Sequence, residues 1–316
     1  MIFSGNGQRL LTFGHFKNQK NFFHVFDVFD VETGRLLAGF EESGFYEGVN
    51  FSPDGKFIFR GKQGPGFASE GRLFDVNTGT RVGQPMPHRG RIGMAIFSPD
   101  GKFVFTITKE AREDKGFEGR LWNVPRGVPV GEPMPHREEI TSAVFSPDGK
   151  TILTGSLDST ARLWDVATAR PVGPSLRCQG KVRAVAFSSD GRFLLTQTGP
   201  SAEGLTRERA GPPQEVAEFI NAFQLWDAAT GQPLGEPVPA PDAGVHFEGN
   251  EVVGMTGATV CRWKAPAPLE GDPERIRLWI EVNSAKALDE GGATVELDAN
   301  AWQQRHDRLQ QLGGPP

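Results

Sequence analysis

His136, Ser156 and Asp158 are the side-chain types from which an acyl-transfer enzyme builds a base, a nucleophile and an orienting carboxylate. Ser156 and Asp158 stand within "VFSPDGKTILTGSLDSTARLWDV", residues 144–166, and His136 lies just upstream. Such triads are recognised by geometry rather than chain order, so this order does not disqualify them. The rest of the machinery is missing: there is neither a GxSxG elbow nor an oxyanion-hole loop. Donors for the developing charge usually supply the largest catalytic contribution, so the same side chains read better as scaffold.

Other chemistries find less support. "GKT" at 149–151 resembles the end of a phosphate-binding loop, but Val144 stands where that loop needs glycine, so the segment reads as a hairpin turn. The six histidines (His15, His24, His88, His136, His246 and His306) show neither HExxH nor a short metal spacing, and no metal or other cofactor is expected. Cys178 and Cys261 lie 83 residues apart without a CxxC pair, which fits a reduced, cytoplasmic chain. A net charge of -5 with mixed signs gives no electrostatic surface for nucleic acid or anionic lipid. Neither a signal peptide nor 18 consecutive apolar residues occurs, so no membrane association is expected.

The opening stretch is one copy of a repeat. "FSPDGK" recurs at 51, 97 and 145 and "FSSDGR" at 187, and "LFDV", "LWNV", "LWDV" and "LWDA" follow at 73, 121, 163 and 225. "FSGNGQRLLT" at 3 with "VFDVETG" at 28, and "HFEGNEVVGMTGATVCRW" at 246–263, extend the series to six copies. Each reads as four strands, a to d from inner to outer. "EITSAVF" alternates, SPDG makes a tight turn, "KTILTGS" and "TARLWDV" follow, and the more polar "RPVGPSL" suits an outer edge. Four-stranded sheets at a period near 45, each too small to bury both faces alone, pack face to face around an axis. The expected fold is all-β.

SPDG, "GSLDST" and xLWDV, in this order and spacing over residues 1–264, resemble the WD-repeat β-propeller family. The "GQPMPHRG" and "GEPMPHRE" linkers and the tail beginning "DPERIRLWIEV" resemble a bacterial branch of it, often fused to Ser/Thr kinase domains. The resemblance implies a buried hydrogen-bonded tetrad in each blade, to which His136, Ser156, Asp158 and Trp164 correspond, with the indole donating to the serine hydroxyl. Only this blade has all four; His88 keeps its place before Phe97, and Cys178 replaces the histidine before Phe187. The family usually has seven blades where six are counted here, so a seven-bladed or N-terminally truncated ring stands as the alternative.

Function in such folds lies in the loops. The a/b turns are short and alike, whereas the b/c connections at 60–71, 109–119 and 199–218 vary, and the d/a linkers emerge on the same face. That face is the expected binding surface for a protein or peptide partner, the chain being a non-catalytic, monomeric interaction scaffold. Candidate contacts are Phe45, Tyr46, Phe67, Arg89, Arg91, Phe117, Arg137, Glu139, Lys181 and Arg183, a mixture of aromatic and charged residues of the kind enriched in binding hot spots. Phe67 and Phe117 lead the aromatic candidates, unless they tuck back onto the blade. Two other functions compete: a regulatory or sensor part of a bacterial kinase system, and a propeller enzyme with an axial site. For the latter, the starts of the a strands offer Glu47 alone.

Residues 265–316 form an expected C-terminal extension packed on the propeller. Asp272 and Pro273 start a helix carrying Trp279, "KALDEGGATVEL" reads as a hairpin, and a second helix runs from about Ala299 to Leu312. The chain opens inside a strand a. The extension is therefore expected to cover the free edge of the last blade, unless an earlier part of the protein does so.

Overall fold

A computed structural model describes residues 1–17, 22–43, 46–64, 68–109, 117–199, 221–239, 244–256, 259–264, 282, 286–288 and 294–312, with the backbone alone at several strand ends. The chain divides into two compact units, Met1–Ala265 and Pro266–Pro316.

Among the described residues the first unit is all-β. Its first sheet comprises β1 (Ile2–Phe3), β2 (Arg9–Lys17), β3 (Phe22–Asp30) and β4 (Leu36–Ser43). The second holds β5 (Tyr46–Phe51), β6 (Phe57–Gln63), β7 (Ser69–Asp75) and β8 (Arg81–His88), and the third β9 (Arg91–Phe97), β10 (Phe103–Lys109), β11 (Phe117–Asn123) and β12 (Pro129–His136). The fourth holds β13 (Ile140–Phe145), β14 (Thr151–Ser156), β15 (Thr160–Asp165) and β16 (Pro171–Arg177), and the fifth β17 (Lys181–Phe187), β18 (Phe193–Gly199), β19 (Ala222–Asp227) and β20 (Val238–Pro239). A sixth sheet has three strands among the described residues: β21 (Val245–Glu248), β22 (Glu251–Thr256) and β23 (Thr259–Lys264). Neighbours within every sheet run antiparallel in sequence order.

The SPDG segments form the same turn each time. Ser146 Oγ donates to Asp148 Oδ1 at 2.7 Å and accepts from Thr151 N–H at 3.0 Å, and Gly149 takes a left-handed φ of 70°. Four further sheets repeat the serine bond at 2.7 Å, from Ser4 to Asn6, Ser52 to Asp54, Ser98 to Asp100 and Ser188 to Asp190. At the c/d turns, Asp75, Asp165 and Asp227 each accept the backbone N–H of a threonine three residues on. Ala169 holds the positive φ, 57°, that Gly79, Gly127 and Gly231 hold elsewhere.

Alternation along each strand splits its apolar side chains between two neighbouring sheets. On β14, Ile152 packs with Phe105, Leu121 and Trp164 between the third and fourth sheets. The next residue, Leu153, packs with Val182, Leu194 and Trp226 between the fourth and fifth. Comparable clusters join the first to the second sheet, the second to the third and the fifth to the sixth. No sheet has a core of its own, and each depends on its neighbours. Fully burying one such large side chain stabilises by roughly 1.5–3 kcal/mol.

In the second unit, β24 (Lys286–Leu288) pairs with β25 (Thr294–Glu296), the hairpin read from "KALDEGGATVEL". Helix α1 (Ala299–Gln311) begins at Asp298, whose carboxylate accepts Ala301 N–H at 2.7 Å. Trp302 Nε1 donates to the Val282 carbonyl at 2.8 Å, and Leu309 is buried. Trp279 and the expected helix from Asp272 lie outside the described residues. Among the described residues no helix is long and apolar enough to cross a membrane.

Candidate functional site

Beneath the b/c end of the fourth sheet, a directed chain of hydrogen bonds crosses strands. Trp164 Nε1–H donates to Thr154 Oγ1 at 2.9 Å, and Thr154 Oγ1 lies 2.8 Å from His136 Nε2. His136 Nδ1 lies 3.2 Å from Asp158 Oδ2. The carboxylate can only accept, so Nδ1 carries the proton and Nε2 receives the threonine hydroxyl. Asp158 also accepts the N–H of Arg137 at 3.0 Å and that of Thr160 at 3.0 Å.

Ser156 is not in this chain, contrary to the reading from the sequence. Its hydroxyl donates to the Glu138 carbonyl at 2.9 Å and accepts Asp158 N–H at 3.1 Å. Thr154 and Ser156 share one face of β14, and only register separates them. Trp164 lies opposite Ile152, so its indole reaches the diagonal neighbour Thr154 and falls a further pair short of Ser156. The tetrad is therefore His136, Thr154, Asp158 and Trp164. Ser156 is fully buried and gives its hydroxyl proton to a backbone carbonyl rather than to the imidazole.

The third and fifth sheets carry variants of the same chain. Trp122 donates to Thr106 at 2.9 Å, Thr106 lies 2.7 Å from His88 Nε2, and His88 Nδ1 faces the Met86 carbonyl at 2.8 Å in place of an aspartate. Trp226 donates to Thr196 at 2.9 Å, and the Cys178 thiol sits 3.7 Å from that hydroxyl. In the second sheet Arg60 takes the threonine position, its guanidinium 4.3 Å from the Phe26 ring and 4.7 Å from the Phe74 ring. The recurrent threonine two residues before Ser156 is the signal the sequence reading missed.

Burial dominates the electrostatics. It lowers His136 to about 4, against the opposing pull of the Asp158 charge, and lowers His88 to about 4 as well. Burial works against the Asp158 carboxylate, but bonds from Thr160 and Arg137 and the neighbouring His136 outweigh it and hold its pKa below the ordinary value. Burial raises the Cys178 thiol to about 11, which makes it inert as a thiolate. A neutral imidazole already bonded at both nitrogens has no lone pair free to take a substrate proton.

The partner candidates gather at one end of the sheets. Cross-strand pairing sets Arg91 opposite Lys109, Ile140 opposite Ser156 and Lys181 opposite Gly199, so these d/a and b/c positions share the end away from the SPDG turns. Arg89, Arg137 and Arg183 are exposed there, and Arg91, Glu139 and Lys181 are half-buried. Lys181 Nζ lies 3.6 Å from Glu138. Phe117 is half-buried and packs against the cluster between the third and fourth sheets, so it tucks back rather than projecting as a binding aromatic. Tyr46 opens β5, but its side chain, like Glu47's, lies outside the described residues, as do Phe45 and Phe67.

Residues 127–165, which hold most of the fourth sheet and all four residues of its tetrad, match the WD domain, G-beta repeat family. No curated protein matches the chain. Among solved structures, the chain is similar to one from the crystal structure of the mitotic checkpoint complex, with a TM-score of 0.55 and 18% identity over 84% of this chain and 72% of that one. The fold is that of a WD40-like β-propeller.

Proposed function

We propose that the chain is a non-catalytic protein-interaction scaffold with a six-bladed propeller, holding a protein or peptide partner at the end that carries the b/c and d/a connections. The observation that carries this reading is the contrast between the two ends. At one, five sheets repeat the same serine bond in nearly the same turn. At the other, the connections differ in length and composition and present Arg89, Arg137 and Arg183 to solvent. Arginine is over-represented among residues that dominate binding energy, and about 800 Å² per partner suffices for a standard interface. Propellers of this kind are typically non-enzymatic, and the buried tetrads suit a scaffold.

Affinity capture tests the assignment. The double variant Arg89→Glu/Arg137→Glu is expected to lose partners that the unaltered chain retains. The variant Lys102→Glu/Lys150→Glu, on the opposite turns, is expected to retain them. Equal capture by both variants would remove the face from the account.

A further inference from the structure

Strand c carries arginine at one recurring position, Arg72, Arg120 and Arg162 in the second to fourth sheets, and Gln224 in the fifth. These side chains lie on the same strand face as the Trp122 and Trp164 rings, directed at the preceding sheet. Arg162 shows what the position does: its Nη1 donates to the Pro135 carbonyl of the third sheet at 2.9 Å, and its Nη2 lies 3.9 Å from Asp158. Arg120 lies 5.9 Å from the centre of the Trp122 ring and 3.5 Å from Glu118, and Arg72 bonds Glu70. An arginine with a nearby carboxylate thus occupies this place in three consecutive sheets.

Between the fourth and fifth sheets the pattern breaks at each point. Gln224 turns its amide back to the Leu225 and Gly235 carbonyls of its own sheet, at 3.0 and 2.9 Å. Ala222 replaces the acidic residue found at 70 and 118. The outer rim is also open. Gly83 and Gly131 each press on the c/d turn of the next sheet so closely that a Cβ would lie 2.1 Å from the Pro125 carbonyl and 2.6 Å from Thr168, whereas Gly173 has nothing within 4 Å. A cleft of about 400 Å³ results, lined by Leu176, Arg177, Phe223, Gln224, Trp226 and Glu236 among others. That volume lies within the range of ligand pockets.

The geometry points to a binding site for an arginine side chain, presented by a partner peptide, in this cleft between the fourth and fifth sheets. The guanidinium takes the place that Arg162 fills one sheet earlier. The register sets Arg177 opposite Thr160 as Pro135 is set opposite Glu118, so the Arg177 carbonyl corresponds to the acceptor Arg162 uses. The Trp226 ring offers the face that Trp122 offers Arg120, and Glu236 supplies a carboxylate at the wall. The Arg177 guanidinium opposes a cationic ligand, but that residue is exposed and its charge is screened by solvent. This site is separate from the loop-face assignment and stands or falls without it.

The test uses Nα-acetyl-arginine amide as the probe and the full chain. Titration followed by NMR is expected to shift the Trp226 indole N–H and leave those of Trp122 and Trp164 in place. The uncharged isostere Nα-acetyl-citrulline amide is expected to bind at least about tenfold more weakly. Gln224→Arg, which installs the residue three other sheets already accommodate, is expected to weaken the probe by a similar factor by filling the cleft. Equal affinity for arginine and citrulline amides, no movement of the Trp226 signal, or undiminished binding to a folded Gln224→Arg protein would overturn the proposal.

Discussion

Thr154 is the residue on which the fourth sheet's hydrogen-bond chain turns, because it accepts from Trp164 and donates to His136 at once. Thr154→Val leaves a buried indole N–H and an imidazole nitrogen without partners and is expected to cost about 2–3 kcal/mol, whereas Ser156→Ala is expected to cost about 1 kcal/mol. Urea unfolding measures both, and the reverse order would restore Ser156 to the tetrad. His88 and His136, both buried, contribute an acid sensitivity. Their folded pKa values near 4 lie below the ordinary 6.5, so the unfolded chain binds more protons between those values. Their contribution to stability is therefore complete above about pH 6.5 and is lost on acidification toward pH 4, by on the order of 3 kcal/mol per histidine. Thermal melts across that window are expected to show the loss, and a His88→Asn variant is expected to show a shallower one. A flat profile in the unaltered protein would contradict neutral burial. The residue types of this site were legible in the sequence, but the choice between Thr154 and Ser156 was not. Both lie on one face of one strand, and only the register against β15 separates them.

Elements were the most legible scale, since each SPDG segment makes its own turn from local bonds and needs no distant partner. The more polar fourth stretch then marked the outer strand. What escaped was contact between sheets, which no local pattern encodes. Gly83 and Gly173 occupy matching places in their d strands with φ of 72° and 67°, yet only Gly83 meets the next sheet's turn, where Gln84 N–H donates to the Arg126 carbonyl at 2.7 Å. Gly173→Ala is expected to cost only the left-handed strain, about 1–2 kcal/mol. Gly83→Ala adds a clash with the Pro125 backbone and is expected to cost about 3 kcal/mol or more. Denaturant midpoints compare the two, and equal losses would mean the rim contact contributes nothing. The replacement of Arg162 by Gln224 one sheet later was readable in the repeat. Its consequence, a cleft, follows only once β16 and β19 are seen to face each other.

At the scale of the molecule, five interlocking clusters make neighbouring sheets mutually dependent, and this dependence holds the variable connections at a common end. Its turns repeat at one end and its connections differ at the other, and the proposed partner site is assigned to the end that differs. The measurement that bears most directly on this account is hydrogen exchange on the chain with and without a captured partner. Residues 88–91, 137–140 and 181–183 are expected to gain protection, while the turns at 52–55, 98–101 and 146–149 exchange as before. Protection confined to those turns would contradict the assignment.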